Sequence, residues 1–138
     1  VGMANPNALT VAVAAAQAVQ RIGMPEARII LGQAAVMVAT SPKSNSAYKG
    51  MDAALYDVEH KNTGEAPMHL RNAAAKGMES LGYGAGYKYA HDYPGNIVDD
   101  MEYMPDEMRG TEYYHPTANG YEAKIKDWLE KRRSRKNK

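Results

Sequence analysis

The sequence contains no cysteine and no phenylalanine, and it has a single tryptophan among 138 residues. Without cysteine the chain can form neither disulfides nor thiolate-zinc sites, which fits a reducing compartment. No apolar run approaches the roughly 18–20 residues that a membrane span requires. Without phenylalanine, ten tyrosines must supply most of the large aromatic packing. We therefore expect a cytoplasmic protein that does not enter a membrane.

The net charge is only +1, but the charges are unevenly distributed along the chain. Residues 92–112 contain seven acids and a single base, Arg109. The C-terminal end carries a cluster of cations: Lys131, Arg132, Arg133, Arg135 and Lys136. Such a basic end is typical of a nucleic-acid contact, and a solvated surface is the simpler alternative, which we favour.

Helix signals divide the first half of the chain into three segments. Asn5 and Pro6 predict a helix start, and Gly23 predicts its end. Pro25 predicts the start of a second helix, and Ser41-Pro42 that of a third. We predict a mainly α fold, a bundle of about four to five helices. Residues 1–62 would form a three-helix collar-like segment and residues 63–138 a C-terminal helical segment, together in one compact unit.

The second half has a less regular pattern. Residues 70–81 predict a weak helix that glycines interrupt. Residues 82–116 are rich in glycine, proline and tyrosine, which predicts an ordered meander whose tyrosine rings fill gaps. A final helix is predicted over residues 119–133, with an inner face formed by Tyr121, Ile125, Trp128 and Leu129.

No motif in the sequence predicts a catalytic, cofactor or metal site. A P-loop is missing, and the glycines of residues 82–86 follow no strand. The four histidines have no ligand spacing, and His91-Asp92 has no accompanying nucleophile. Residues 43–46 could bind phosphate at a helix start, but capping by Ser41 or Ser44 is the better interpretation.

Six blocks in order carry a resemblance to one family. They are Asn5-Pro6 with the alanine-rich residues 11–16, PKSNSAY at 42–48, HLRNA at 69–73, LGYG with GYKYAHD between 81 and 92, YMP at 103–105, and YY with PT and a glycine between 113 and 120. The chain resembles the C-terminal region of the replication-associated recombination ATPases, the bacterial RarA/MgsA group. These proteins are related to the eukaryotic Werner-helicase-interacting ATPase. Met101 and Met104 stand where the family usually has glutamine and leucine.

This resemblance implies an AAA+ ATPase, akin to clamp loaders, that acts at stalled replication forks. ATP and magnesium would bind in an N-terminal module with Walker motifs, none of which occurs here. The resemblance implies a homotetramer assembled by the C-terminal region. It further implies that the full-length protein, associated with the nucleoid, contacts DNA and replication proteins such as single-strand-binding protein. Because Val1 would lie inside the family's helical collar, we expect the chain to be a non-catalytic piece of a longer protein.

The leading hypothesis is therefore an oligomerisation domain. The small residues of the first helix permit close helix packing, and the interface residues we predict are Val11, Ala12, Ala15 and Val19. The alternative is a module that contacts DNA, or docks a partner, through the basic C-terminal helix.

Overall fold

The computed structural model describes residues 1–72 and 77–136. Within them lie four α-helices: α1 (Asn7–Ile22), α2 (Ala27–Thr40), α3 (Ser46–His60) and α4 (Glu122–Lys136). The remaining elements are short 3-10 turns at Gly2–Ala4, Met68–Leu70, Glu79–Leu81, Ala90–Asp92, Pro94–Asn96 and Asp106–Met108. The described residues contain no strand, which confirms the prediction of a mainly α fold.

The chain divides into two compact units that are interleaved in sequence. Unit 1 comprises Val1–Ala53 and Tyr113–Lys131, and unit 2 comprises Ala54–Glu112 and Arg132–Lys138. The predicted division into residues 1–62 and 63–138 concerns domain boundaries, and it stays a prediction.

Helices α1 and α2 of unit 1 begin and end close to the predicted positions. Asn5 Oδ1 accepts a hydrogen bond from the Asn7 N–H at 3.2 Å, so Asn5 supplies the predicted cap. Gly23 ends α1 with a φ of 77°, a backbone conformation that glycine adopts without strain. Helix α2 begins at Ala27, two residues after Pro25, and the Ala27 N–H bonds the Gly23 carbonyl at 2.9 Å.

Polar side chains form the junction between α2 and α3. Lys43 Nζ donates to the carbonyl oxygens of Val38 and Ser41, each at 2.6 Å. It thereby satisfies carbonyl groups at the end of α2. Ser44 Oγ accepts the Ser46 N–H at 3.1 Å and caps the start of α3. This hydrogen bond confirms the capping interpretation of Ser44.

The loop before α4 packs against the beginning of the chain. The Tyr121 N–H donates to the Ala4 carbonyl at 2.7 Å, and Asn119 Nδ2 donates to the Lys43 carbonyl at 2.9 Å. Asn119 and Tyr121 form these hydrogen bonds, and the helix begins at Glu122 rather than at residue 119. These long-range bonds join the two sequence segments of unit 1.

Unit 2 lacks part of the predicted regular structure. Residues 73–76 of the predicted weak helix lie outside the described residues. Its described parts form 3-10 turns at Met68–Leu70 and Glu79–Leu81 instead of an α-helix. The meander of residues 82–116 is ordered by further 3-10 turns. The expectation that tyrosine rings fill gaps is wrong for Tyr87, Tyr89 and Tyr103, each of which is more than half exposed.

Two helical glycines of unit 1 give a matched stability prediction. An added Cβ at Gly50 would lie 2.9 Å from the Tyr113 carbonyl oxygen, whereas at Gly32 it would meet nothing within 4 Å. We expect Gly50→Ala to lower the free energy of unfolding by about 1–3 kcal/mol through overpacking. Gly32→Ala should raise it by roughly 0.5–1 kcal/mol through helix propensity. Urea titration of both variants checks the sign, and equal effects would contradict the tight contact at Gly50.

Candidate interaction surfaces

Helix α2 is apolar around most of its circumference. Its sequence contains one charged residue, Arg28. Within the described part of unit 1, α2 packs extensively only against α1. Four large aliphatic side chains of α2 therefore remain exposed to solvent: Ile29, Leu31, Val36 and Val38. Soluble helices usually keep apolar residues on one covered face, so this surface needs a further covering.

Exposed apolar side chains of α1 and α2 border a recess in unit 1. Leu9 and Val38 line it together with Ala12 and Ala47, and the recess has a volume of about 580 Å³. Leu9 is 73% exposed although it is a large aliphatic residue. The recess is a concave part of the uncovered apolar surface. A side chain of another helix could insert into it.

Two of the four predicted interface residues of α1 face α2. Ala15 is buried, while Val11, Ala12 and Val19 are half-buried. Val11 and Ala15 line a small cavity of about 270 Å³ together with Ile30 and Ala34 of α2. The small residues thus permit the close helix contact that we predicted, but within one chain. The contact of these residues with a second copy stays a prediction.

A buried carboxylate, Glu122, organises the polar centre of unit 1. Its side chain is fully buried at the first position of α4. Glu122 Oε2 accepts hydrogen bonds from the Thr117 N–H at 2.9 Å and the Thr117 hydroxyl at 2.6 Å. Tyr114 donates to Oε1 at 2.9 Å, and the Ser46 hydroxyl lies 3.4 Å from Oε2. One carboxylate thus connects α3, the loop before α4 and α4 itself.

The hydrogen bonds to Glu122 determine its protonation. Burial alone would raise its pKa, but the donors of Thr117, Ser44 and Tyr114 outweigh burial and lower the pKa to about 2. Burial and the neighbouring carboxylate together raise the pKa of Tyr114 to about 12. Glu122 is therefore ionised and Tyr114 is neutral at physiological pH. The only local signal for this site is an acid three residues after Asn119, a spacing found in capping boxes.

Three cations of the basic end of α4 are paired with carboxylates. Lys131 Nζ lies 2.7 Å from Asp127 Oδ2 in unit 1. In unit 2, Arg132 Nη2 lies 3.2 Å from Asp99 Oδ1, and Arg133 bonds the Glu112 carboxylate. The side chains of the other two predicted nucleic-acid contacts, Arg135 and Lys136, lie outside the described part of the structure. The acidic segment of residues 92–112 thus contacts the basic end, which charge counting along the sequence did not predict.

The unit 1 part of α4 presents an aromatic recess. Tyr121, Ile125 and Trp128 line it together with Met3 and Lys124. The Lys124 ammonium lies 5.8 Å from the centroid of the Tyr121 ring. Tyr121 and Trp128 were predicted on an inner face, but they are about half exposed. This part of the prediction is wrong because helical spacing identifies a common face without identifying what covers it.

A polar cavity of about 650 Å³ lies in unit 2. Its charged lining is largely paired: Arg71 lies 2.7 Å from Glu65, and Arg109 lies 3.9 Å from Glu102. His69 Nε2 is 2.8 Å from the Glu102 carbonyl oxygen, which gives this histidine a structural partner. The cavity therefore presents paired charges rather than an arrangement for acid–base chemistry.

Residues 1–72 and 77–136 contain no candidate metal cluster and no candidate membrane-spanning helix. No group of three histidine, aspartate or glutamate side chains converges there to hold a metal ion. None of the helices in the same residues combines the length and apolar content of a membrane-spanning segment.

Comparison with known proteins identifies the family. Residues 1–133 match the family described as MgsA AAA+ ATPase C terminal. The chain belongs to this family. The match confirms the resemblance to the replication-associated recombination ATPases. It also shows that this chain corresponds to the C-terminal domain of the MgsA AAA+ ATPases.

Individual relatives of this MgsA C-terminal domain share about 40% identity. The chain is 42% identical to replication-associated recombination protein A of Escherichia coli over 94% of its length, covering 29% of that protein. It is 40% identical to the protein of that name from Coxiella burnetii over 94% of its length, covering 30% of the relative. For the Bacillus subtilis protein the identity is 39% over 99% of this chain and 32% of the relative. The chain thus spans about a third or less of the length of these relatives.

Proposed function

We propose that this chain is the C-terminal assembly domain of an AAA+ ATPase acting in replication-associated recombination, and that it joins copies into a homotetramer. The observation that carries the proposal is the uncovered apolar surface of α2. Ile29 and Val36 are seven positions apart and lie on one side of that helix. Leu31 and Val38 have the same spacing on another side. An apolar helix exposed on two sides favours contact with more than one neighbour.

The exposed aliphatic side chains of α2 suit an interface of ordinary size. A stable protein interface buries about 800 Å² on each partner. Two such contacts per chain would join copies into a tetramer. Covering the aliphatic side chains would contribute about 25 cal/mol for each Å² of apolar surface removed from water.

Sedimentation of the 138-residue chain tests this proposal. We expect a tetramer at tens of micromolar, with a sedimentation coefficient that falls as the chain is diluted. The competing cover for α2 is another part of a longer polypeptide, since the relatives are about three times as long. In that case the isolated chain would remain monomeric at the highest soluble concentration, and the assembly proposal would be wrong.

The second candidate function is contact with nucleic acid through the basic end of α4. Lys131 and Arg133 are exposed there, and Arg132 is partly exposed. Each phosphate that a cation neutralises releases counterions, so the logarithm of affinity should fall with the logarithm of salt with a slope of about −3 to −5 for three to five contacts. Fluorescence anisotropy with labelled DNA measures this slope. Deletion of residues 131–138 should remove this salt dependence. Unchanged affinity for DNA would contradict contact through the basic end.

The wider activity follows from the family and is part of the proposal. ATP and magnesium would bind in the part of the parent protein that this chain does not match. The parent would contact DNA and replication proteins, such as single-strand-binding protein, in the cytoplasm at the nucleoid. The chain itself would supply the connection between copies.

A further inference from the structure

The acidic segment and the basic end of α4 are joined by two arginine–carboxylate pairs in unit 2. Arg132 Nη2 lies 3.2 Å from Asp99 Oδ1. Arg133 bonds a carboxylate oxygen of Glu112. Asp99 and Glu112 belong to a segment with seven acids and one base, so the arginines lie in a locally negative environment. Both arginines are therefore engaged before any external anion arrives.

Carboxylates and phosphates compete for the same arginine donors. A guanidinium presents its N–H groups in a fixed planar fork that fits the oxygens of either group. A phosphate that binds Arg132 in the same orientation would need donors that now point toward Asp99. The same conflict exists between a phosphate and Glu112 at Arg133.

We propose that the acidic segment masks Arg132 and Arg133 and that a nucleic acid must displace Asp99 and Glu112 to bind them. This inference rests on the second candidate function, contact of the basic end with nucleic acid. The acidic segment then acts as an internal competitor for phosphate. It lowers the affinity for any polyanion without changing which cations make the contact.

The exposure of the pairs determines how strong the mask is. The side chains of Arg132 and Asp99 are 35% and 51% exposed, and those of Arg133 and Glu112 are both 49% exposed. Exposed ion pairs are weak, and each corresponds to roughly a twofold to fivefold change in an equilibrium constant. The mask therefore reduces affinity about tenfold in total and does not prevent binding.

The test compares two double variants of equal charge in the 138-residue chain. Asp99→Asn with Glu112→Gln removes both masking carboxylates. Asp92→Asn with Glu107→Gln removes the same charge from the same segment, and neither carboxylate is the partner of Arg132 or Arg133. The probe is a fluorescein-labelled 30-base oligo(dT), and its anisotropy is measured at 0.1 M salt. We expect about tenfold tighter binding for the first variant and at most about twofold for the second, through general charge alone.

A third variant separates the mask from the binding site. Adding Arg132→Gln and Arg133→Gln to the first double variant should abolish the gain. If both double variants gain affinity equally, the gain comes from the lower negative charge of the segment, and the proposed masking of the two arginines is wrong. If the unmodified chain binds the probe through the arginines but the first variant gains nothing, the mask fails while the nucleic-acid contact stands. If no variant binds the probe, both ideas fail. Circular dichroism of each variant verifies that the helices are retained.

Discussion

Replacing Ile29 and Val36 with glutamate is expected to dissociate the proposed tetramer into monomers. Each substitution removes an aliphatic side chain whose burial contributes about 1.5–3 kcal/mol and introduces a charge that resists desolvation. Two such changes on one side of α2 should weaken the contact by at least about a thousandfold. Sedimentation velocity at tens of micromolar would show the loss of the tetramer. Because both side chains are exposed in the single chain, helical content should not change.

A matched control uses α3. Met51 and Val58 are also exposed aliphatic residues seven positions apart on a helix. Their replacement by glutamate adds the same charge at the same spacing, and the tetramer should persist. A tetramer that survives the α2 change contradicts the proposed interface. Dissociation by the α3 pair alone would place the interface on α3.

Glu122→Gln is expected to have the largest effect on the stability of unit 1. The variant keeps the size of the side chain but replaces an ionised acceptor with a neutral amide, whose NH₂ group faces the donors of Thr117 or Tyr114. Hydrogen bonds to a charged group contribute about 1.5–3 kcal/mol each, and a mispaired buried group adds a desolvation cost. We expect the free energy of unfolding to fall by about 2–3 kcal/mol in urea titration. The exposed Glu59→Gln is the control and should change it by less than about 0.5 kcal/mol.

The lowered pKa of Glu122 also determines how stability depends on pH. The folded pKa is about 2, below the ordinary value of 4.5. The unfolded chain therefore binds the proton more readily, and the carboxylate contributes its full stability above about pH 5. That contribution, at most roughly 3 kcal/mol, is lost as the pH falls from about 5 toward 2. The difference in unfolding free energy between the chain and Glu122→Gln should shrink over this range, and a constant difference would show that the charge is not involved.

Local signals predicted the helices well because they depend on nearby residues. Asn5, Gly23 and Ser44 act within one turn of the helix end that they define, so their roles can be deduced from a few neighbouring positions. The family resemblance likewise depends on short ordered blocks that a sequence displays directly. The start of α4 was less accurate, because the bond between Tyr121 and Ala4 joins positions far apart in the chain.

The candidate surfaces depended on information that the sequence does not contain. Periodicity placed Tyr121 and Trp128 on one face of α4, but it could not show that this face is exposed. The small residues of α1 indicated a close helix contact, and the structure places α2 there. Asp99 pairs with Arg132, which lies 33 positions away in the sequence. Glu122 contacts Ser46, which lies 76 positions away. Such contacts follow from tertiary folding and not from local pattern.

The interleaving of unit 1 has a consequence for synthesis on the ribosome. Residues 1–53 leave the exit tunnel well before residues 113–131, yet Ala4, Lys43 and Ser46 form long-range hydrogen bonds with that later segment. Unit 1 therefore cannot close until most of the chain has been translated, and α2 emerges as an apolar helix before its unit is complete. The apolar surface exposed during this interval makes the nascent chain prone to aggregation.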